Sequence, residues 1–124
     1  MFSSIIRSLM VIGITTWALP VYTHHSHGNY DLTKYIDMEG TVTEAHWINP
    51  HTWVYIEVIG EGDTSTIWAL EGGGINGLTR KGWTEDSVKV GDNISVRCHP
   101  LKAGTPACLF GFLKTEDGTE GEYD

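Results

Sequence analysis

Positive charge is scarce in this chain: 8 lysines and arginines stand against 16 aspartates and glutamates in 124 residues, a formal net charge of −8 with histidine neutral. Such a balance repels phosphate backbones and excludes nucleic acid as a partner class. Cysteine is almost lacking as well, with two residues, neither near the N-terminal apolar stretch. Lipid attachment at a new N-terminal cysteine is thereby excluded. Long hydrophobic runs are missing too: the longest, "SLMVIGITTWAL", falls short of the roughly 20 apolar residues that span a bilayer. Gly72, Gly73 and Gly74 lack the Walker lysine and the dinucleotide spacing of phosphate-binding loops. No serine, histidine and acid arrangement is identifiable by spacing, and neither cysteine has an activating context. The expectation is a binding module and not an enzyme.

What is present begins with a leader. Residues 1–23 carry Arg7, the apolar run and Pro20, with no acidic residue before Asp31, which is the outline of a secretory signal peptide. Val21 and Thr23 supply the small residues needed for cleavage ahead of His24, while Thr16 and Ala18 allow an earlier cut. An uncleaved anchor is the alternative reading. Export predicts a periplasmic or secreted protein with no membrane span after cleavage. Losing Arg7 brings the net charge to 7 − 16 = −9. In an oxidising compartment Cys98 and Cys108, separated by "HPLKAGTPA", are expected to pair. Closing so short a loop stabilises the fold by about 2–3 kcal/mol.

A chain of this length holds one domain and one modest core, and 40% apolar residues with 15 glycines and 5 tryptophans suit a folded, turn-rich domain. "GTVTEAHWI" alternates imperfectly, with the inward face changing near Thr43 and Glu44, so a bulge is predicted there. The turn at Asn49 and Pro50 leads into "HTWVYIEVIG", completing a hairpin, and "STIWALEG" is a third strand. Ile75 and Leu78 at helical spacing, with Arg80 and Lys81 near the end and Gly82 beyond it, predict a short helix. Thr84 caps a further single turn, and strands follow at "NISVRC" and "CLFGFLKTEDG".

Three strands, a helix and two strands predict a mainly β fold, a five-stranded OB-like Greek-key barrel with one short helix between strands 3 and 4. An open sheet or small sandwich with a covering helix is the runner-up. The domain reading is signal peptide 1–23, histidine-containing connector 24–38, barrel 39–115 and a frayed acidic tail 116–124. A closed barrel hides its strand edges, so a monomer is expected.

"HHSH" after the leader, "GTVTEAHWINPHTWVYIEV", "WALEGGGINGLTRKGW" and "TEDSVKVGD" resemble a family of small exported bacterial proteins known only as a domain of unknown function. The resemblance runs from about His24 to about Arg97 and implies a periplasmic barrel without an assigned reaction. The cysteine-bearing C-terminal part departs from that pattern.

Six histidines, His24, His25, His27, His46, His51 and His99, lie beyond the leader. Cleavage ahead of His24 lets its amine and imidazole chelate one ion, with His25 or His27 adding a nitrogen. All-nitrogen sites suit copper(II), with zinc as rival. His46 and His51 flank the Asn49–Pro50 turn and are candidate additional ligands if the connector folds back. The bland reading makes the cluster a solvated connector and the turn histidines mere hydrogen-bonding groups. Trp53 and Tyr55 share a strand face with Glu57 and are candidate ligand-binding residues for a small ligand or an envelope protein partner, whereas Trp68 and Trp83 are core. Glu71 is expected to pair with Arg80 or with amides of the glycine turn. Two functions therefore stand together: a metal-binding exported protein, and a metal-free structural or adaptor barrel using its aromatic face.

Overall fold

The computed structural model describes residues 26–124; His24, His25 and the whole signal-peptide reading lie outside them. Among these residues the strands are β1 (Ile36–His46), β2 (Trp53–Ile59), β3 (Ser65–Glu71), β4 (Asn93–Pro100), β5 (Ala107–Lys114) and β6 (Glu120–Glu122), with one helix, α1 (Ile75–Arg80), between β3 and β4. The sheet order is β3-β2-β1-β4-β5-β6, and a parallel β3–β5 pairing closes the first five strands into a barrel. This circuit is the OB topology. The fold class expected from the residues is the one observed.

Alternation decides which side chains enter the barrel. Val42, Val54, Ile56, Leu70, Ile94, Val96, Cys98, Cys108, Phe110 and Leu113 face inward and are buried in one cluster. The register of β1 against β2 shifts between Val42 and Glu44, where the inward face was predicted to change. A second, unpredicted shift opposes Arg97 and Cys98 to Phe112 and Phe110, leaving Gly111 as the extra residue of β5. That bulge lets Phe110 and Leu113, three positions apart, both point inward and turns Phe112 outward. The cysteines form the predicted disulfide, with Cα atoms 5.6 Å apart, and both are fully buried inside the barrel.

Helix α1 closes one end. Its first amide, that of Ile75, donates to Asn49 Oδ1 at 2.9 Å, so the β1–β2 turn caps the helix. At its far end the Trp83 amide donates to Leu78 O and the Gly82 amide to Thr79 O, both at 3.0 Å. Gly82 has φ +93°, the left-handed residue that this paired-bond stop requires. Leu78 and Trp83 are thereby delivered to the core together. Thr84 and Ser87 form the capping box of the following turn, Glu85–Ser87.

Two boundaries differ from expectation. The barrel begins at Ile36 and not at residue 39, since Ile36, Asp37 and Met38 pair with Cys98, Arg97 and Val96 of β4. The acidic tail is not frayed: residues 120–122 pair with Phe112–Lys114 as β6, and Tyr123 is 2% exposed. Tyr123 packs against Trp83 and Phe110 with ring centres 5.2 and 4.8 Å away, and the Trp83 indole donates to Glu122 O at 2.7 Å. Burial of one aromatic ring thus outweighs the repulsion and chain entropy that favour fraying. Trp68 is half-buried against the core, while Trp83 is buried as expected.

Candidate functional site

The N-terminal connector is docked on the barrel. Its Tyr30 bridges Leu101, the Asp31 amide donates to Pro100 O at 2.8 Å, and the Lys102 amide donates to Asn29 O at 2.9 Å. His99 Nδ1 reaches Lys34 O at 2.6 Å. These bonds lay the strap along the β4–β5 loop and over the seam where Ala69, Leu70 and Glu71 pair with Ala107, Cys108 and Leu109. Tyr30 and Leu109 are buried there, apart from the main core.

Glu71, 1% exposed, is the centre of this region. Tyr30 donates its phenol proton to Glu71 Oε2 at 2.6 Å. His51 Nδ1 stands 3.5 Å from Glu71 Oε1 and 3.4 Å from Gly72 O. The expected pairing of Glu71 with Arg80 or with glycine amides is therefore replaced by a tyrosine 41 positions upstream. The three glycines serve close packing: a Cβ on Gly72 would lie 2.5 Å from Thr52 Oγ1 and 2.9 Å from Tyr123. Thr52 and Gly73 are also tied to one another, and the Gly73 amide donates to Tyr123 O at 3.0 Å.

The strap brings His27 to this place. The His27 and His51 ring centres are 6.4 Å apart. With metal–nitrogen bonds of about 2.0–2.1 Å, two imidazoles on one ion have ring centres from about 4.5 Å apart at right angles to about 6.4 Å apart when opposite one another, so the observed spacing corresponds to an opposed pair. His46 is directed elsewhere: its Nε2 lies 3.0 Å from Glu44 Oε2, and its ring meets Tyr55 edge-on at 5.9 Å. His46 and His51, on either side of the turn, thus have different neighbours. Trp53 and Tyr55 are half-buried, with Trp53 opposite His46 and Glu71 and Tyr55 opposite Glu44 and Ala69. Among the described residues, no three His, Cys, Asp or Glu side chains form a metal-holding group. Nor is any helix there long and apolar enough to cross a membrane.

Burial, then the hydrogen bond to Glu71, pushes the Tyr30 phenol well above its ordinary range. Burial alone pushes Tyr123 up to about 12. Both phenols stay protonated in the fold at a pH where the unfolded chain releases their protons, so stability falls as pH rises past about 10. The decline continues to about pH 12 for Tyr123 and beyond that for Tyr30. Urea midpoints measured at about pH 9 and about pH 11 should differ accordingly. In spectrophotometric titration, Y30F and Y123F should each remove one late phenolate step.

Closed strand circuit, plugging helix and seam-covering strap together define a small OB-like barrel carrying its own N-terminal clasp. The chain belongs to a family of unknown function (DUF6152), which matches residues 12–110. The match passes beyond Arg97, the end of the resemblance read from the sequence, and takes in both cysteines. No curated protein and no solved structure matches the chain.

Proposed function

We propose that this protein is an exported, non-enzymatic binding protein that holds a transition metal where its N-terminal strap meets the barrel. Copper(II) is the first choice and zinc the second. The observation that carries the reading is the approach of His27 to His51 at 6.4 Å, with His51 Nδ1 turned toward Glu71 and Gly72 O. A histidine whose Nδ1 proton is held by a carboxylate or carbonyl presents its Nε2 lone pair to an ion, and the carboxylate raises its basicity. Two imidazoles do not complete a site, so the reading requires a further nitrogen from His24 or His25, as in a copper(II) chelate at an exposed amine.

Calorimetric titration of the mature protein with copper(II) and zinc tests this. The expected result is one ion bound with sub-micromolar affinity. H27A or H51A should weaken binding about 10- to 100-fold, and E71Q, acting through His51, about 10-fold. Unchanged affinity in H51A would reduce the histidines to an unselective tail. The second reading, a metal-free adaptor barrel, draws on the aromatic face of β2, where Trp53 and Tyr55 are only half-buried. Binding only at tens of micromolar would support it.

A further inference from the structure

Beside the strap lies a recess of about 350 Å³ that shares His27 with the proposed metal site and leaves His51 outside. Its walls include three of the large apolar side chains most exposed to solvent: Leu32 (53%), Tyr35 (56%) and Phe112 (48%). Water-facing apolar groups that converge on one hollow offer area to a ligand, whereas scattered ones do not. The hollow is built into the fold. The Gly111 bulge turns Phe112 outward, and a Cβ at Gly111 would approach Tyr35 Cε1 to 3.0 Å, so glycine makes room for the tyrosine ring. His99 stacks on Tyr35 with ring centres 4.1 Å apart and is fixed by its bond to Lys34 O.

The titratable groups lining the recess, besides Tyr35, are two histidines, His27 and His99, and two carboxylates. Glu122 and Asp124 stand on its rim, and no lysine or arginine lines it. Lys81 Nζ lies 3.4 Å from Glu122 Oε2 and also reaches the Asp124 carbonyl, so it offsets one of the two carboxylates. Arg97, opposite Phe112 in the sheet, is held by Asp37 through two bonds of 2.8 and 3.1 Å. Aromatic faces and a surplus carboxylate around a hollow lined by polar and apolar groups alike are the chemistry that selects an ammonium with a hydrophobic body.

We propose that this recess is a binding site for a small organic amine: an aromatic or aliphatic body resting against Tyr35, Phe112 and Leu32, with its ammonium toward Glu122 and Asp124. The probes are phenethylamine, 2-phenylethanol and phenylacetate, which share a shape and differ in charge. Each is titrated into the full mature protein with a chelator present, so that no metal coordinates the amine. Amide shifts of Gly111 and Phe112 are followed by NMR. Phenethylamine should saturate and bind about tenfold more tightly than the alcohol, and phenylacetate should not saturate.

F112S should abolish saturation, and E122Q combined with D124N should bring the amine to the affinity of the alcohol. H51A, which removes the proposed metal ligand that does not line the recess, should leave amine binding within about twofold, so the two readings fail separately. Equal affinity for all three probes, or no saturable shift with the amine, would overturn the proposal.

Discussion

Replacing Tyr123 with alanine should lower the unfolding free energy by about 3–5 kcal/mol, the usual cost of deleting a buried aromatic ring. Tyr123 stands next to last in the chain, within an acidic tail whose composition argues for fraying. Its ring nevertheless fills the space between Trp83 and Phe110 and overlies Gly72. Its amide donates to Gly111 O at 3.1 Å. Y123F keeps the ring and should cost no more than about 1 kcal/mol. Urea unfolding followed by tryptophan fluorescence measures both variants. A midpoint in Y123A equal to that of the parent would mean that the tail is not docked.

The second large effect is expected from the disulfide. Replacing Cys98 and Cys108 together with alanine should cost about 2–5 kcal/mol, because an unbridged chain gains freedom on unfolding. Both cysteines are fully buried, one on β4 and the other on β5, so thiolate attack requires the barrel to open. Reductant should therefore act at a rate set by opening, slowly in buffer and fast near the urea midpoint. Mass spectrometry after alkylation follows the reaction. Rapid reduction under native conditions would contradict the buried placement, and an unchanged urea midpoint in the double variant would contradict the stabilising role.

Local pattern made much of the fold legible. The bulge near Thr43, the helix with its stop at Gly82 and the capped turn at Thr84 each depend on neighbours a few residues away. What stayed hidden depends on distance along the chain. Glu71 looks like a partner for Arg80, which is close in sequence, yet its phenol donor is Tyr30, brought there by the strap. Nothing around Tyr123 marks it as core, because its burial depends on Trp83 and Phe110. The Gly111 bulge was likewise invisible: "LFGFL" reads equally well as unbroken alternation, and only the β4 register reveals the extra residue. Of the candidate site, the histidine set could be named from composition, but the division between His27 with His51 and His46 with Glu44 needed the turn's geometry.

Strand β1 is hydrogen-bonded on one side to β2 and on the other to β4, whose Cys98 faces Ile36. The circuit then closes only when residues 107–109 meet β3. A ribosome extending the chain from its N-terminus has therefore made most of the polypeptide before this ring can shut. Until then the outer edge of β3 has no partner, and the last-made long strand decides when the barrel is shut.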